Sequence, residues 1–507
     1  MSILRSQGQV SSPPPPDADA IVVGAGPAGM SAAIELASSG RKIIVLDLQQ
    51  IPGGQVFRSL ETNLADPATA ELRDALGATY LAGAELIRKF RTTSGIDYRP
   101  ETIVWDLRPG GTVGWFKDGS AGYLRAPHII LANGAMERPV AFPGWTLPGV
   151  MTAGAVQTLL KAGRLKPDGR IVFAGTGPLI FLLVDQLRRL GVKPKLIART
   201  DKFWDKLAAI KHLRFASMVP LIKGLWWLFL LRLARIPTMS GMSELRANGT
   251  DKIESVSLKI ANRTVDIPCD LLVVHDGIIP SIDLAHGAGI QSMWQDEDLC
   301  WRVKSSVDGR TEKSIGPSLT DGACVVRVSG DARAIGGADA AIAHGRYVAK
   351  SIMLEGRPTY SSKNKDLDEA RAAFHRSMAI RPFLDTAFPM GLAKRRPDDA
   401  TVICRCEEIT AGSIREEICK GVDDINLIRG ILRCGMGPCQ GRNCATTLAY
   451  ILTEKATSKP VPFRARPPFR PLPLSALAHL ENLDPELAKV DALNDKASEL
   501  GSDVDNG

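Results

Sequence analysis

An α/β architecture with two dinucleotide-binding domains and a small helical C-terminal module is the fold class this sequence predicts. Three observations carry the prediction. A strand, glycine turn, helix and second strand occupy residues 18 to 50, a similar unit begins at residue 170, and six of the nine cysteines lie between Cys404 and Cys444. At 507 residues the chain exceeds what one core fills comfortably, so two large domains and a module are expected.

Composition bounds the function classes. With 45% hydrophobic and 23% charged residues the chain reads as a globular protein. Its formal charge of +8 comes from 63 basic against 55 acidic residues without a long Lys/Arg run, which argues against nucleic-acid binding. The N-terminal MSILRSQGQVSSPPPPDADA lacks the apolar run of a signal-peptide core, and its prolines oppose a helix. A cytoplasmic tail is expected there. The most apolar stretch, GLWWLFLLRLARI from Gly224 to Ile236, is broken by Arg232 and Arg235 and falls short of the roughly 20 residues that span a bilayer. It reads as a buried or interfacial amphipathic helix, with core packing or docking as its role.

The first unit has the logic of a nucleotide site. IVV precedes Gly24-x-Gly26-x-x-Gly29, a helix follows, and KIIVLD ends in Asp47, twenty-three residues after the first glycine. Gly24 permits the tight turn, Gly26 lets a pyrophosphate approach the backbone, and Gly29 lets helix and strand pack closely. The helix N-terminus then faces the phosphates, and Asp47 can accept hydrogen bonds from the adenosine ribose.

Three further segments select the dinucleotide. IILANGAMERP, with Ala132, Asn133 and Gly134 after an apolar strand, resembles the connecting motif of glutathione-reductase-like flavoproteins. VSGDARAIGGADAAIAHG places Asp331 at a strand end before the Gly336-Gly337 pair and a helix starting at Ala338. The resemblance implies that Asp331 binds the flavin ribitol and that the helix start at Gly337 and Ala338 approaches the isoalloxazine. Gly53-Gly54-Gln55 resembles the flavin-contacting turn of the same proteins. The first site is therefore read as an FAD site.

The second unit departs from the pattern. Gly175 and Gly177 open a fingerprint, but Ile180 stands where a third small residue would allow close packing, and the next strand ends in Arg199. A branched side chain widens the helix–strand spacing, and a guanidinium cannot accept the ribose hydroxyl bonds that a carboxylate does. Efficient NADH binding is not expected. Arg199 can still attract a phosphate, so ATP or NADP stands beside a purely structural vestige. Cys269, Cys300 and Cys324 stand alone, without the C-x-x-C that a disulfide reductase needs near its flavin; they read as buried small hydrophobes.

The chain then divides into a tail (1–17), the FAD domain (18–150 and 281–360) interrupted by the second nucleotide domain (151–280), a charged linker (361–400), a cysteine domain (401–455) and a Pro-rich, acidic tail (456–507). The Pro-rich part is expected to lie extended over another surface, and the last 25 or so residues to be mobile.

Cysteine spacing defines the module: Cys404-x-Cys406, thirty-two intervening residues, then Cys439-x4-Cys444. Four thiolates can ligate a 2Fe-2S cluster. Gly435, Gly437 and Gly441 let backbone N–H groups approach the sulfurs, Thr410 can cap the helix SIREEICKG, and DINLIRGIL supplies another. The spacing resembles the ferredoxin domain first known from bacterioferritin-associated ferredoxin. Zinc is the competing metal, although its structural sites favour pairs two to four residues apart. Cys434 can replace Cys439 or Cys444 as a ligand, and is left out because that family's ligands fall within GPCQGRNC; Cys419 reads as packing.

An FAD fold ending in this module resembles the α (A) subunits of bacterial opine oxidases, across about residues 18 to 475. Those of hydrogen cyanide synthase and of dye-linked proline and hydroxyproline dehydrogenases are similar. The resemblance implies a separate FAD-dependent β subunit related to amine oxidases, an FMN at the interface, a small third subunit, and electron flow through the cluster region toward this chain's flavin or an external acceptor, in the cytoplasm or at a membrane that holds the acceptor. None of the seven histidines forms a spaced pair with a candidate nucleophile, so electron transfer rather than substrate chemistry is expected. A self-sufficient NAD(P)H-dependent oxidoreductase and a non-catalytic iron–sulfur docking module are the alternatives.

Overall fold

The computed structural model describes residues 15–108, 111–213, 218–261, 263–312, 324–355, 364–454, 459–478 and 480. Most of the N-terminal tail and the acidic C-terminal segment lie outside them. The short runs AIVV, IIVL and HIIL are rich in Ile and Val and, His128 apart, wholly apolar and buried, the signature of strands covered on both faces. They form a parallel five-stranded sheet in the order Val325–Val328, His128–Leu131, Ala20–Val23, Ile43–Leu46, Ile96–Arg99. Alternation splits each strand between two cores. Ala20, Val22, Ile43 and Val45 face the helical layer, while Ile21, Val23, Ile44 and Leu46 face a three-stranded meander of Ile103–Arg108, Thr112–Lys117 and Ser120–Arg125.

The same plan recurs. Strands Thr238–Met239, Leu196–Arg199, Ile171–Thr176, Leu271–Asp276 and Val150–Thr152 form a second parallel sheet, in that order, with a meander of Met242–Asn248, Ser255–Ile260 and Arg263–Pro268 on one face. Phe173, Ile197, Val273 and the helix residues Leu183, Val184 and Leu187 join the helical core of the first unit, so the two units share one apolar interior. The chain leaves the first sheet after Leu131 and returns to it at Val325, which pairs with His128. Closure of the first unit is tight: helices Pro27–Ala37 and Ala338–Leu354 meet where a Cβ on Gly345 would strike the Ala28 carbonyl.

Residues 364–387, expected within a linker, instead form helices Lys365–Met378 and Arg381–Ala387. Their charge is one face of an amphipathic pattern. Asn364 caps the first helix by accepting from the Leu367 amide at 3.1 Å, Asp366 and Asp368 sit in its first turn, and Ala370 and Phe374 are buried.

In the C-terminal module a hairpin, Val402–Cys404 and Ile409–Thr410, leads to helices Ala411–Cys419, Ile425–Leu432 and Ala445–Thr453. Thr410 accepts from the Ser413 amide, and the Asp424 carboxylate accepts from those of Asn426 and Leu427. Ile403, Ile414, Ile428 and Leu448 form a core that continues onto Trp294 and Trp301 of the strand pair Ser292–Gln295 and Cys300–Val303. The Pro-rich segment is a strap. Trp301 Nε1 donates to the Pro460 carbonyl at 2.8 Å, Phe463 packs against Gly435 and Gly441, and the Phe469 amide donates to the Trp105 carbonyl at 2.8 Å.

Of the stretch expected as an amphipathic helix, residues 224–233 belong to helix Met218–Leu233 and residues 234–236 lie beyond its end; the helix buries Leu231 and exposes Ile222, Trp226, Phe229 and Leu233. Among the described residues no helix is long and apolar enough to cross a membrane.

Candidate functional site

The glycine loop between Val23 and Pro27 is held by contacts that only glycine permits. Gly24 has φ +105°, and a Cβ there would sit 2.5 Å from the Ala132 carbonyl oxygen; at Gly29 a Cβ would strike the Gly24 carbonyl. The Gly53-Gly54 turn presses onto the same loop, with a Cβ at Gly54 falling 2.9 Å from the Gly26 Cα. The loop opens into a cavity of about 1050 Å³, at the upper end of ordinary ligand pockets. Gly24, Gly26, Asp47, Gly54, Gln55, Ala132, Gly134, Asp331, Gly337 and Ala338 all line it, and Gly29 packs beneath the loop.

Two carboxylates, Asp47 and Asp331, belong to this lining. Asp47 accepts the Ala25 amide on one oxygen and the Gln49 amide, at 2.6 Å, on the other. Burial raises its pKa and the two amides oppose the rise. Each oxygen keeps a lone pair for a ribose hydroxyl. Asp331 accepts from the Gly336 and Gly337 amides at 2.8 and 3.1 Å, and burial raises its pKa too. Behind it, His344 Nδ1 accepts the Gly330 amide at 2.9 Å while Nε2 donates to the Val307 carbonyl at 3.0 Å. Burial lowers the His344 pKa to about 4, so the ring is a neutral brace for the strand end that carries Asp331.

The second fingerprint is formed but covered. Gly175 and Gly177 hold φ +126° and +110° at the end of Ile171–Thr176, and Ile180 is buried beneath them. Across this carboxyl edge, where open α/β sheets bind ligands, runs the chain's own segment 387–393. The Gly391 and Ala393 amides donate to the buried Asp276 carboxylate at 3.1 and 2.7 Å, Gly391 abuts Thr200, and Leu392 enters the core of the unit. Lys206 donates to the Ala387 carbonyl and lies 3.4 Å from the centre of the Phe388 ring. Arg199, expected to attract a phosphate, donates to Ser240 Oγ and lies 3.6 Å from Asp201. The crevice expected to take ATP or NADP is thus crossed by residues that only tertiary folding brings there.

In the module the thiols fall into two groups. Cys404, Cys434 and Cys444 are buried, with all three Sγ atoms within 4.8 Å of one another. The Cys406 and Cys439 thiols contact each other nearer the surface. The Cys444 thiol donates to Cys404 and draws the Cys404 pKa down to about 5; contact with Cys404 and Cys434 raises that of Cys444. So crowded a set of sulfurs suits a metal cation, which binds thiolates and relieves their repulsion. Of the three glycines, Gly435 places its amide on Cys404, Gly437 lets Cys406 approach, and Gly435 and Gly441 also admit the Phe463 ring. Cys419, expected as packing, ends its helix exposed. Gln440, Gly441 and Arg442, immediately beside Cys439, line the same cavity as the glycine loop.

Comparison with known proteins agrees with this geometry. Residues 18–297 match the family described as Pyridine nucleotide-disulphide oxidoreductase. The opine oxidase A subunit of Agrobacterium tumefaciens (strain Ach5) is 36% identical over 479 residues, covering 91% of this chain and 92% of that one. The chain belongs to the pyridine nucleotide-disulphide oxidoreductase family, alongside the opine oxidase A subunits. The HcnB subunit of hydrogen cyanide synthase from Pseudomonas aeruginosa is 31% identical over 477 residues, covering 91% of this chain and 98% of that one. The crystal structure of L-proline dehydrogenase from P. horikoshii shares the fold, with a TM-score of 0.64 at 18% identity over 91% of this chain and 79% of that one.

Within this family of flavin-dependent oxidoreductases, several residues of the cavity carry little signal in a single sequence. Lys161, on helix Ala153–Ala162, is buried and donates to the Gln55 and Val56 carbonyls at 3.2 and 2.9 Å and to Gln157 at 3.1 Å. Burial, then Arg58, lowers its pKa to about 7. Glu137 contacts His275 Nδ1 at 2.5 Å and accepts the Gly154 amide at 2.6 Å. Asp283 bridges Arg442 of the module and Arg470 of the strap at 3.2 and 3.0 Å. A lone lysine on an apolar helix face was the visible clue to Lys161. The pairs Glu137–His275, Asp283–Arg442 and Asp283–Arg470 join residues more than a hundred positions apart.

Proposed function

We propose that this chain is the electron-transferring flavoprotein and iron–sulfur subunit of a multi-subunit opine oxidase, a dehydrogenase acting on CH–NH donors. In this reading a separate FAD-dependent, amine-oxidase-like β subunit oxidises the opine. An FMN at the interface between the two and a small third subunit complete the assembly, which serves an acceptor in the cytoplasm or at a membrane. The observation that carries the reading is the single cavity whose wall includes both the Gly24–Gly26 loop and the Gln440–Arg442 turn beside Cys439. Groups bound at these two sites would share one wall.

When bound, FAD would supply exchange of one or two electrons and a 2Fe-2S cluster exchange of one. The chain's own residues do the rest. Gly24 and Gly26 admit the pyrophosphate to the helix N-terminus, Asp47 receives the ribose, and Asp331, braced by His344, receives the ribitol. Cys404, Cys406, Cys439 and Cys444 hold the cluster. Lys161 fixes the Gly54-Gln55 turn, and Asp283 ties the module to the flavin domain through Arg442 and Arg470. The covered second crevice supports electrons arriving from a protein partner rather than from a nicotinamide. A partner like that of a proline or hydroxyproline dehydrogenase, or of hydrogen cyanide synthase, would change the donor and leave these roles in place.

The test is anaerobic titration of the flavin. The chain alone is expected to stay oxidised with NADH or NADPH, and to bleach on addition of octopine or nopaline once co-purified with its β subunit. Bleaching of the isolated chain by NADH at a catalytic rate overturns the proposal. Bleaching of the complex by proline, with opines inert, moves the chain to the related dehydrogenases.

A further inference from the structure

Five thiols, one more than a 2Fe-2S cluster uses, meet in the C-terminal module. Two thiolates on one tetrahedral metal, at bond lengths of ~2.3 Å, lie roughly 3.8 Å apart. The sulfurs of Cys404, Cys434 and Cys444 are all within 4.8 Å of one another, so small side-chain rotations would bring any two of them onto one ion. Cys406 and Cys439 are paired elsewhere, nearer the surface.

The placement of Cys434 is built into the local backbone. Helix Ile425–Leu432 ends at Arg433, whose φ of +61° is left-handed, and Gly435 follows at +86°; the reversal sets Cys434, wholly buried, beside Cys404 and Cys444. Two contacts tie this turn to the Cys404–Cys406 loop: the Gly435 amide to Cys404, and Arg433 Nε to Glu407 at 3.1 Å.

We infer that Cys434 is a reserve ligand for the inner iron, able to replace Cys404 or Cys444 and unable to replace Cys406 or Cys439. The inference rests on the cluster reading given above. It makes the four ligands unequal: losing an inner thiol is compensated from within the core, whereas losing an outer one is not.

The experiment measures iron and acid-labile sulfide per chain, with the electron paramagnetic resonance of the reduced protein, on full-length protein purified without air. Bound FAD reports folding of each variant. Cys444→Ala is expected to keep the iron of the wild type with an altered resonance, Cys439→Ala to lose it at least tenfold, and Cys434→Ala to keep it unaltered. The double variant Cys434→Ala/Cys444→Ala is expected to lose iron like Cys439→Ala. Loss of iron in Cys444→Ala equal to that in Cys439→Ala overturns the inference while leaving the cluster intact. So does retention in the double variant. Wild-type protein free of iron, or holding zinc alone, overturns the cluster reading itself.

Discussion

A methyl group at Gly24 would have to occupy the space of the Ala132 carbonyl oxygen, 2.5 Å away, in a backbone conformation that L-residues avoid. Gly24→Ala is therefore expected to yield folded protein with little or no bound FAD, read from the ratio of flavin to protein absorbance. His344 acts one layer further out. Its folded pKa, about 4, lies below the ordinary value of 6.5, so between those values the unfolded chain binds a proton that the folded chain refuses. Stability is fully present above about pH 6.5 and is lost as pH falls toward 4. His344→Leu is expected to lower Tm at pH 7, because the buried Gly330 amide loses its acceptor at a cost of about 1–3 kcal/mol. The same substitution should flatten the fall in Tm between pH 7 and 4.5. A variant with the wild-type slope would show that another group titrates there. At this scale the sequence is highly legible: ten of the predicted flavin-site residues line one cavity, and Gly24 and Gly54 among them hold positive φ values in close backbone contacts. Glu137 obeys no such local demand, and Lys161 shows in the sequence only as a lone lysine on an apolar helix face.

Segment 387–393 carries the clearest element-scale difference from expectation. As sequence it is a stretch of AFPMGLA within a charged linker; in the fold it lies across the carboxyl edge of the second sheet, the Gly391 and Ala393 amides on Asp276. The expected consequence is slow hydrogen exchange at Gly391 and Ala393 in the wild type, unchanged by millimolar ATP or NADPH. In Asp276→Ala the exchange should quicken by an order of magnitude or more. Saturable nucleotide binding that protects the Gly175–Gly177 loop in the wild type would show that the segment yields to a ligand. The helices around it were legible once capping is considered, since Asn364 followed by Asp366 and Asp368 is a helix start. Charge density obscured that pattern.

Two α/β units share one helical core, the first of them closed by a strand nearly two hundred residues downstream of its neighbour. The cysteine module is fastened to this body by Trp145 Nε1 on the Val402 carbonyl at 2.6 Å, by Asp283 between Arg442 and Arg470, and by the strap residues Phe463 and Phe469. Asp283→Ala removes the shared carboxylate from both arginines. Faster limited proteolysis at the strap is expected, with FAD retained; unchanged cleavage would mean that Phe463 and Phe469 suffice as anchors.

Local rules wrote much of this protein. The glycine turns, the runs of β-branched residues and the helix caps each act over a few positions, so the sequence by itself determined both nucleotide folds, many residues that line the cavity and the crowding of cysteines. Which thiols share a centre, what covers the second crevice, and where the strap lies depend on contacts between segments far apart in the chain. Those were decided by burial: Phe388 and Leu392 pack against the cores of the two α/β units, and Cys434 and Phe463 enter the core of the module.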